Sequence, residues 1–242
     1  MSRRAGATNA GQEETTVKPK DNNQEKQAML LAQDVGHFSL VRALHMADLI
    51  TEMNGFCGFM SILSSLRYCL SDPQDLTNLW FAFGFMPLGL FFDFFDGKVA
   101  RWREKSSLMG QELDSLADLV SFGVAPAALG FVLGFRTNID QLFLTYYVLC
   151  GLTRLARFNV TVAMLPKDKT GKSQYFEGTP IPFGCLTTAA VMAYWTSMGW
   201  IHHSLPFGTV LTGTPFEFHL ASFMWLLSGS LMISKTLHIP KP

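Results

Sequence analysis

Four aspartates and an arginine within residues 91–118, FFDFFDGKVARWREKSSLMGQELDSLAD, are the side chains of this sequence best placed to do chemistry. Asp93 and Asp96 interrupt a run of phenylalanines, and Asp114 and Asp118 stand one helical turn apart further on. A carboxylate inside an apolar membrane segment costs about 2.5–3.5 kcal/mol even on permissive insertion scales, so such groups are kept for a function. On a helix turning 100° per residue, Asp93, Asp96, Gly97, Ala100 and Arg101 share an arc of roughly 140°, and Gly110, Asp114 and Asp118 share roughly 80°. Carboxylates converging from two such faces repel unless cations lie between them, and an all-oxygen donor set suits Mg²⁺, Mn²⁺ or Ca²⁺ rather than zinc. Gly97 and Gly110 leave room beside the acids for a bulky ligand, and Arg101 offers a planar fork to phosphate. Acids one turn apart near a helix end are ordinarily solvated or capping, which is the competing account of Asp114 and Asp118 taken alone. The phenylalanines around Asp93 and Asp96 leave that account no hold on the first pair.

The elements that must position these groups are apolar. The 242 residues are 48% hydrophobic, 13% aromatic and only 16% charged, against about a quarter charged in an ordinary soluble chain. The formal net charge of zero leaves no basic excess to release counterions, so no nucleic-acid partner is expected. Residues 1–26 carry almost no large apolar side chains and are expected to form a disordered tail that is not a cleaved signal peptide. Residues 27–48 mix apolar with charged positions and predict an amphipathic helix on a membrane surface. Six stretches, near 49–70, 76–99, 113–135, 139–164, 181–200 and 216–233, are then long enough to cross a bilayer. Lys and Arg concentrate in the N-terminal segment, in the second-to-third and fourth-to-fifth connections and at the C-terminus, while Arg136 alone occupies the alternate loops. The positive-inside rule therefore places both termini and the acid cluster on the cytosolic side. The expected fold is all-α: a polytopic bundle of six transmembrane helices over 49–235, with 236–242 as a short cytosolic tail. The four cysteines lie in or beside apolar stretches without metal spacing and read as reduced residues of the membrane core.

Two further polar stretches lie at the predicted depth of the acids. Thr51 and Asn54 open the first span, three residues apart, where they would hydrogen-bond a nucleotide or an oxygen held by the metal, or simply sit at the interface. Arg154 and Arg157 stand one turn apart near the end of the fourth span, beside Phe158 and Asn159; they either snorkel to the interface or present a fork to a carboxylate. The loop around Tyr175–Glu177 would turn on the cytosolic face near the site. His202 and His203 receive no role.

The spacing D-x2-D-G-x2-A-R-x8-G-x3-D-x3-D, met by Asp93, Asp96, Gly97, Ala100, Arg101, Gly110, Asp114 and Asp118, resembles the signature of the CDP-alcohol phosphotransferases. Eight fixed positions match by chance roughly once in 10⁹–10¹⁰ starts at average composition. NGFCGF at 54–59, the stretch 106–127, LTRLARFNVTV at 152–162, YFEGTPIP at 175–182 and the terminal LHIPKP are similar to the fungal phosphatidylserine-forming branch of that family. The resemblance implies transfer of a phosphatidyl group from CDP-diacylglycerol to the hydroxyl of L-serine with release of CMP, assisted by two divalent cations, Mg²⁺ or Mn²⁺. It implies Asp93, Asp96, Asp114 and Asp118 as metal ligands, with Asp118 also the general base. Thr51, Asn54, Gly97, Ala100, Arg101 and Gly110 would line the CDP pocket, and Arg154, Arg157, Phe158 and Asn159 would recognise serine. A homodimer in the endoplasmic reticulum membrane also follows from the resemblance alone. The same acids would serve transfer to inositol or glycerol phosphate, and intramembrane acids would also bind metal in a divalent-cation transporter, although no internal repeat supports the latter.

Overall fold

The computed structural model describes residues 46–102, 108–164, 175–234 and 238–240, and the expected tail and surface helix up to residue 45 lie outside them. Helices dominate: α1 Met46–Leu70, α2 Thr77–Trp102, α3 Leu108–Asp118, a π-helical segment Leu119–Val124, α4 Ala125–Leu133, α5 Asn138–Met164, α6 Ile181–Ser197 and α7 Phe223–Ile233. They overlie the six predicted stretches, with α3, the π segment and α4 together forming the third. Among the described residues, Thr77–Val99 and Met109–Leu133 are long and apolar enough to cross a membrane, and Leu220–Ile233 is a shorter apolar helix. Polar groups inside α1 and α5, such as Asp48, Glu52, Arg154 and Arg157, lower the hydropathy of those two helices without shortening them.

The structure adds detail to two of these expectations. The last helical stretch, predicted over 216–233, begins only with a 3₁₀ turn Leu220–Ser222 that leads into α7. At about 1.5 Å per residue, the 14 residues of Leu220–Ile233 fall short of the roughly 30 Å hydrocarbon layer. The cause is upstream: β2 Thr209–Val210 and β3 Phe218–His219 pair as a small antiparallel ladder, and the His219 backbone N–H donates to Asp140 Oδ1 at 3.0 Å. Short strands also accompany the mostly helical fold. Besides that ladder, β1 Tyr175–Glu177 pairs with β4 His238–Pro240, Phe176 opposite Ile239, so the loop after α5 meets the chain end that reads as a free tail. Strands of two or three residues are too short for a period-2 pattern to register.

The turn between α1 and α2 is written in its acids. Asp72 Oδ1 accepts the Gln74 N–H, and Asp75 Oδ1 accepts the Thr77 N–H at 3.0 Å, capping α2. From there α2 packs along α1 with an inside-out sense. Phe91, Phe94 and Phe95 are 52%, 55% and 40% exposed, whereas Asp96 is 6% exposed. In water that arrangement would be unstable; in a bilayer it turns aromatic surface to lipid and acids to protein.

The π segment directly after Asp118 has a local cause. Pro126 has no N–H to give the Phe122 carbonyl four residues back, and the buried Tyr147 hydroxyl of α5 donates to that carbonyl instead, at 2.9 Å. The wider turn is closed by the Ala125 N–H on the Val120 carbonyl. Tyr147 stacks edge-on with Trp225 at 5.1 Å, and Trp225 meets Phe135 at 6.3 Å, so the aromatic core also fixes the end of the acid-bearing helix. Cys57, Cys150 and Cys185 are buried and Cys69 is exposed, all of them free thiols.

Candidate active site

The cluster is assembled by three helices. α2 supplies Asp93 and Asp96, α3 supplies Asp114 and Asp118, and α1 lies against both with Asp48, Thr51 and Asn54 on the facing side. Close approach is secured by glycine. A Cβ on Gly58 would stand 2.6 Å from Ser121 Cα, and one on Gly55 would touch Ala117 Cβ at 3.6 Å. Carboxylate oxygens of Asp93, Asp114 and Asp118 lie within 4.8 Å of one another. Asp114 Oδ1 is buried with no hydrogen-bond partner. Three acids that close, one of them with an orphaned oxygen, form a donor set that hard divalent cations fit and that is repulsive without them.

Asp96 is held differently. Its Oδ2 accepts the Thr51 hydroxyl at 2.7 Å, which orients it at the edge of the trio. Asp118 Oδ1 accepts the Asn54 Nδ2–H at 3.0 Å. Thr51 and Asn54, expected against a nucleotide, thus spend their donors on the acids. Space for a bulky ligand does exist beside them: among the described residues, nothing lies within 4 Å of where a Gly97 Cβ would be. Gly110 lies on α3 one turn before Asp114. Ala100 and Arg101 belong to the end of α2, and their side chains lie outside the described part of the structure.

The fourth-span residues divide. Arg154 stands within electrostatic reach of both Asp118 and Arg157, and its Nε is buried without a partner. Asn159 instead bonds to α3: its Oδ1 accepts the Ser115 hydroxyl at 3.1 Å and its Nδ2 donates to Glu112 Oε2 at 3.3 Å. Phe158 is 45% exposed, turned away from the buried face.

Sequence reasoning missed Asp48. It falls in the stretch read as a surface helix, yet it belongs to α1, is buried and acts electrostatically on Asp96. The signal was available, because Asp48 precedes Thr51 by three residues and so shares its face.

A family model described as CDP-alcohol phosphatidyltransferase matches residues 44–216, which include every acid of the cluster. The chain is 56% identical to the CDP-diacylglycerol–serine O-phosphatidyltransferase of Saccharomyces cerevisiae over 214 residues, covering 86% of this chain and 75% of the yeast protein. It is 40% identical to the enzyme of the same name from Bacillus subtilis, covering 56% of this chain and 68% of the bacterial one. The archaetidylserine synthase of Methanothermobacter thermautotrophicus is 37% identical, over 59% of this chain and 55% of its own. With the acid geometry and this extent of similarity together, the chain belongs to the CDP-alcohol phosphatidyltransferase family.

Proposed function

We propose that this protein synthesises phosphatidylserine, transferring the phosphatidyl group of CDP-diacylglycerol to the hydroxyl of L-serine and releasing CMP. The observation that carries the reading is the convergence of Asp93, Asp114 and Asp118 within 4.8 Å in a chain 56% identical to a yeast enzyme named for that reaction. Asp93, Asp96, Asp114 and Asp118 would hold the divalent cations, with Mg²⁺ or Mn²⁺ as the candidates. Once bound, such a pair supplies positive charge against the pyrophosphate and the departing nucleotide.

The chain's own residues do the rest. A serine hydroxyl is a poor nucleophile at neutral pH, so it must lose its proton as it attacks phosphorus, and Asp118 takes that proton. Arg154, whose unpartnered Nε lies within reach of the Asp118 charge, and Arg157 present guanidinium donors to the serine carboxylate. That places the hydroxyl of the same small molecule near the base. The open space at Gly97 admits the CDP group, with Ala100, Arg101 and Gly110 around it. The acyl chains remain in the bilayer, against the outward phenylalanines of α2.

The same reading places six helical stretches in the membrane within 49–235, the last of them shorter than the hydrocarbon layer, with a surface helix over 27–48, both termini and the site in the cytosol, residence in the endoplasmic reticulum and a homodimeric state. The alternation of loops rich in Lys and Arg with loops that carry Arg136 alone supports the orientation.

An acceptor screen tests the reaction. Protein in detergent receives CDP-diacylglycerol and Mn²⁺ or Mg²⁺ with serine, inositol, glycerol 3-phosphate or no acceptor, and CMP release is followed. Serine-dependent release abolished by chelator is expected. Release with another alcohol would keep the catalytic assignment and overturn the serine site, and no metal-dependent release with any acceptor would favour transport of the cation.

A further inference from the structure

Asn54 stands at the three-helix junction, fully buried. Its Nδ2 donates to Asp118 Oδ1 at 3.0 Å, and its backbone carbonyl accepts the Ser121 hydroxyl from the π segment at 2.8 Å. Its Oδ1 is buried without a partner. A flipped amide would turn Oδ1 toward Asp118 and Nδ2 toward Gly89 instead. On the far side, a Cβ at Gly89 of α2 would come to 3.0 Å from Asn54 Oδ1 and 3.5 Å from Cys57 Cβ. The absence of a side chain at 89 is therefore what leaves the amide room to lie as it does.

We propose that Asn54 is the positioning residue of Asp118, and that Gly89 acts through it: the amide ties up one carboxylate oxygen and so fixes the direction in which the other meets cation and substrate. Asn54 is thus assigned to the acid cluster and not to the nucleotide. Partners that orient a metal-binding carboxylate from behind are commonly worth about 10–100-fold in metal affinity or rate. The inference rests on the transferase reading for its kinetic consequences and on the acid geometry alone for its binding consequences.

The test uses Asn54→Leu, which keeps the volume and removes the donor, Gly89→Ala, and the double variant. Mn²⁺ affinity is measured without substrates by electron paramagnetic resonance, and kcat and KM are measured for each substrate. Asn54→Leu should weaken Mn²⁺ binding and lower kcat by about 10–100-fold, leaving both KM values within about 3-fold. Gly89→Ala should show the same pattern more weakly, and adding it to Asn54→Leu should cost nothing more, because the residue it acts through is gone. Unchanged Mn²⁺ affinity with a raised KM for CDP-diacylglycerol would overturn the proposal and return Asn54 to the nucleotide. Additive losses in the double variant would separate Gly89 from it. If the wild type transfers to no acceptor, the function reading fails, while the Mn²⁺ measurements still decide the positioning role. If Asn54→Leu does not fold, Gly89→Ala decides it: an Mn²⁺ affinity equal to wild type would sink the idea.

Discussion

Carboxylates are buried at both ends of α5, and they are treated in opposite ways. Near its N-terminus Asp140 is 0% exposed, and both its oxygens are satisfied by one residue: Oδ1 by the His219 backbone N–H at 3.0 Å and Oδ2 by His219 Nδ1 at 2.6 Å. Toward its other end, Arg154 faces a cluster in which Asp93, Asp114 and Asp118 crowd together and Asp114 Oδ1 has no partner. A carboxylate that holds a fold together is completed by the fold. One that serves chemistry is left incomplete and surrounded by like charge, so that the missing partner must come from outside. The Asp140 pair anchors the β2–β3 ladder and sets where the last helix begins; of the acid trio, Asp118 bonds to Asn54, while Asp114 Oδ1 stays without a partner.

That contrast is broken or sharpened most sharply at Asp118. Asp118→Asn should reduce CMP release by about 10³-fold, within the range for loss of a general base, while CDP-diacylglycerol binding by the purified variant stays close to wild type. Equal loss of binding and turnover would make Asp118 a binding group only. Next in size is the stability comparison. Asp140→Ala breaks a buried pair and should cost about 3 kcal/mol, read as a lower unfolding midpoint with kcat retained in the folded fraction. Asp114→Asn should do the reverse in chelator-treated protein, raising the midpoint by relieving repulsion while abolishing the stabilisation that added Mn²⁺ gives the wild type. A falling midpoint for Asp114→Asn without metal would mean that the trio is structural after all. Smaller again, Arg157→Ala should raise the serine KM by about 10–100-fold, the worth of a hydrogen bond to a charged group, with little change for the lipid. An unchanged serine KM would remove Arg157 from the acceptor site.

The acid motif could be read because its members lie close in sequence and helical geometry carries them to shared faces. What each acid does depended on partners that no local pattern reveals. Thr51 and Asp96 are 45 residues apart in the chain, and Asn54 and Asp118 are 64 apart. Reading Thr51 and Asn54 at the right depth did not show that their donors turn onto carboxylates. Phe158 was grouped with Arg157 as its neighbour in sequence, but one residue is 100° of rotation, and the ring lies on the exposed side. Asn159 likewise carries bonds to Ser115 and Glu112 of α3 that belong to packing between helices. The π segment was foreshadowed by Pro126, although only the distant Tyr147 hydroxyl shows how the freed carbonyl is satisfied. The late start of α7 followed from Asp140, which its own segment does not contain.

The smallest effect concerns the satisfied end alone. His202 lies in the loop after α6, its Nε2 2.9 Å from the Tyr68 hydroxyl and its ring stacked on the tyrosine at 5.9 Å, while Tyr68 Oη donates to the Pro73 carbonyl. Burial, and then electrostatic repulsion from Arg136 and His203, push the imidazole below its ordinary value near 6.5. A group whose pKa is depressed on folding favours the native state while it stays neutral. Its contribution is intact above about 6.5 and is lost as pH falls from there through the lower folded value, because the unfolded chain takes up the proton first. Wild-type protein should therefore lose more of its unfolding midpoint between about pH 7.5 and 5.5 than His202→Gln does, the difference isolating this group from the acid cluster, which titrates in both proteins. Parallel pH dependences would show that the Tyr68 contact tolerates the imidazolium, and that the loop end of the molecule is indifferent to charge where the acid end is not.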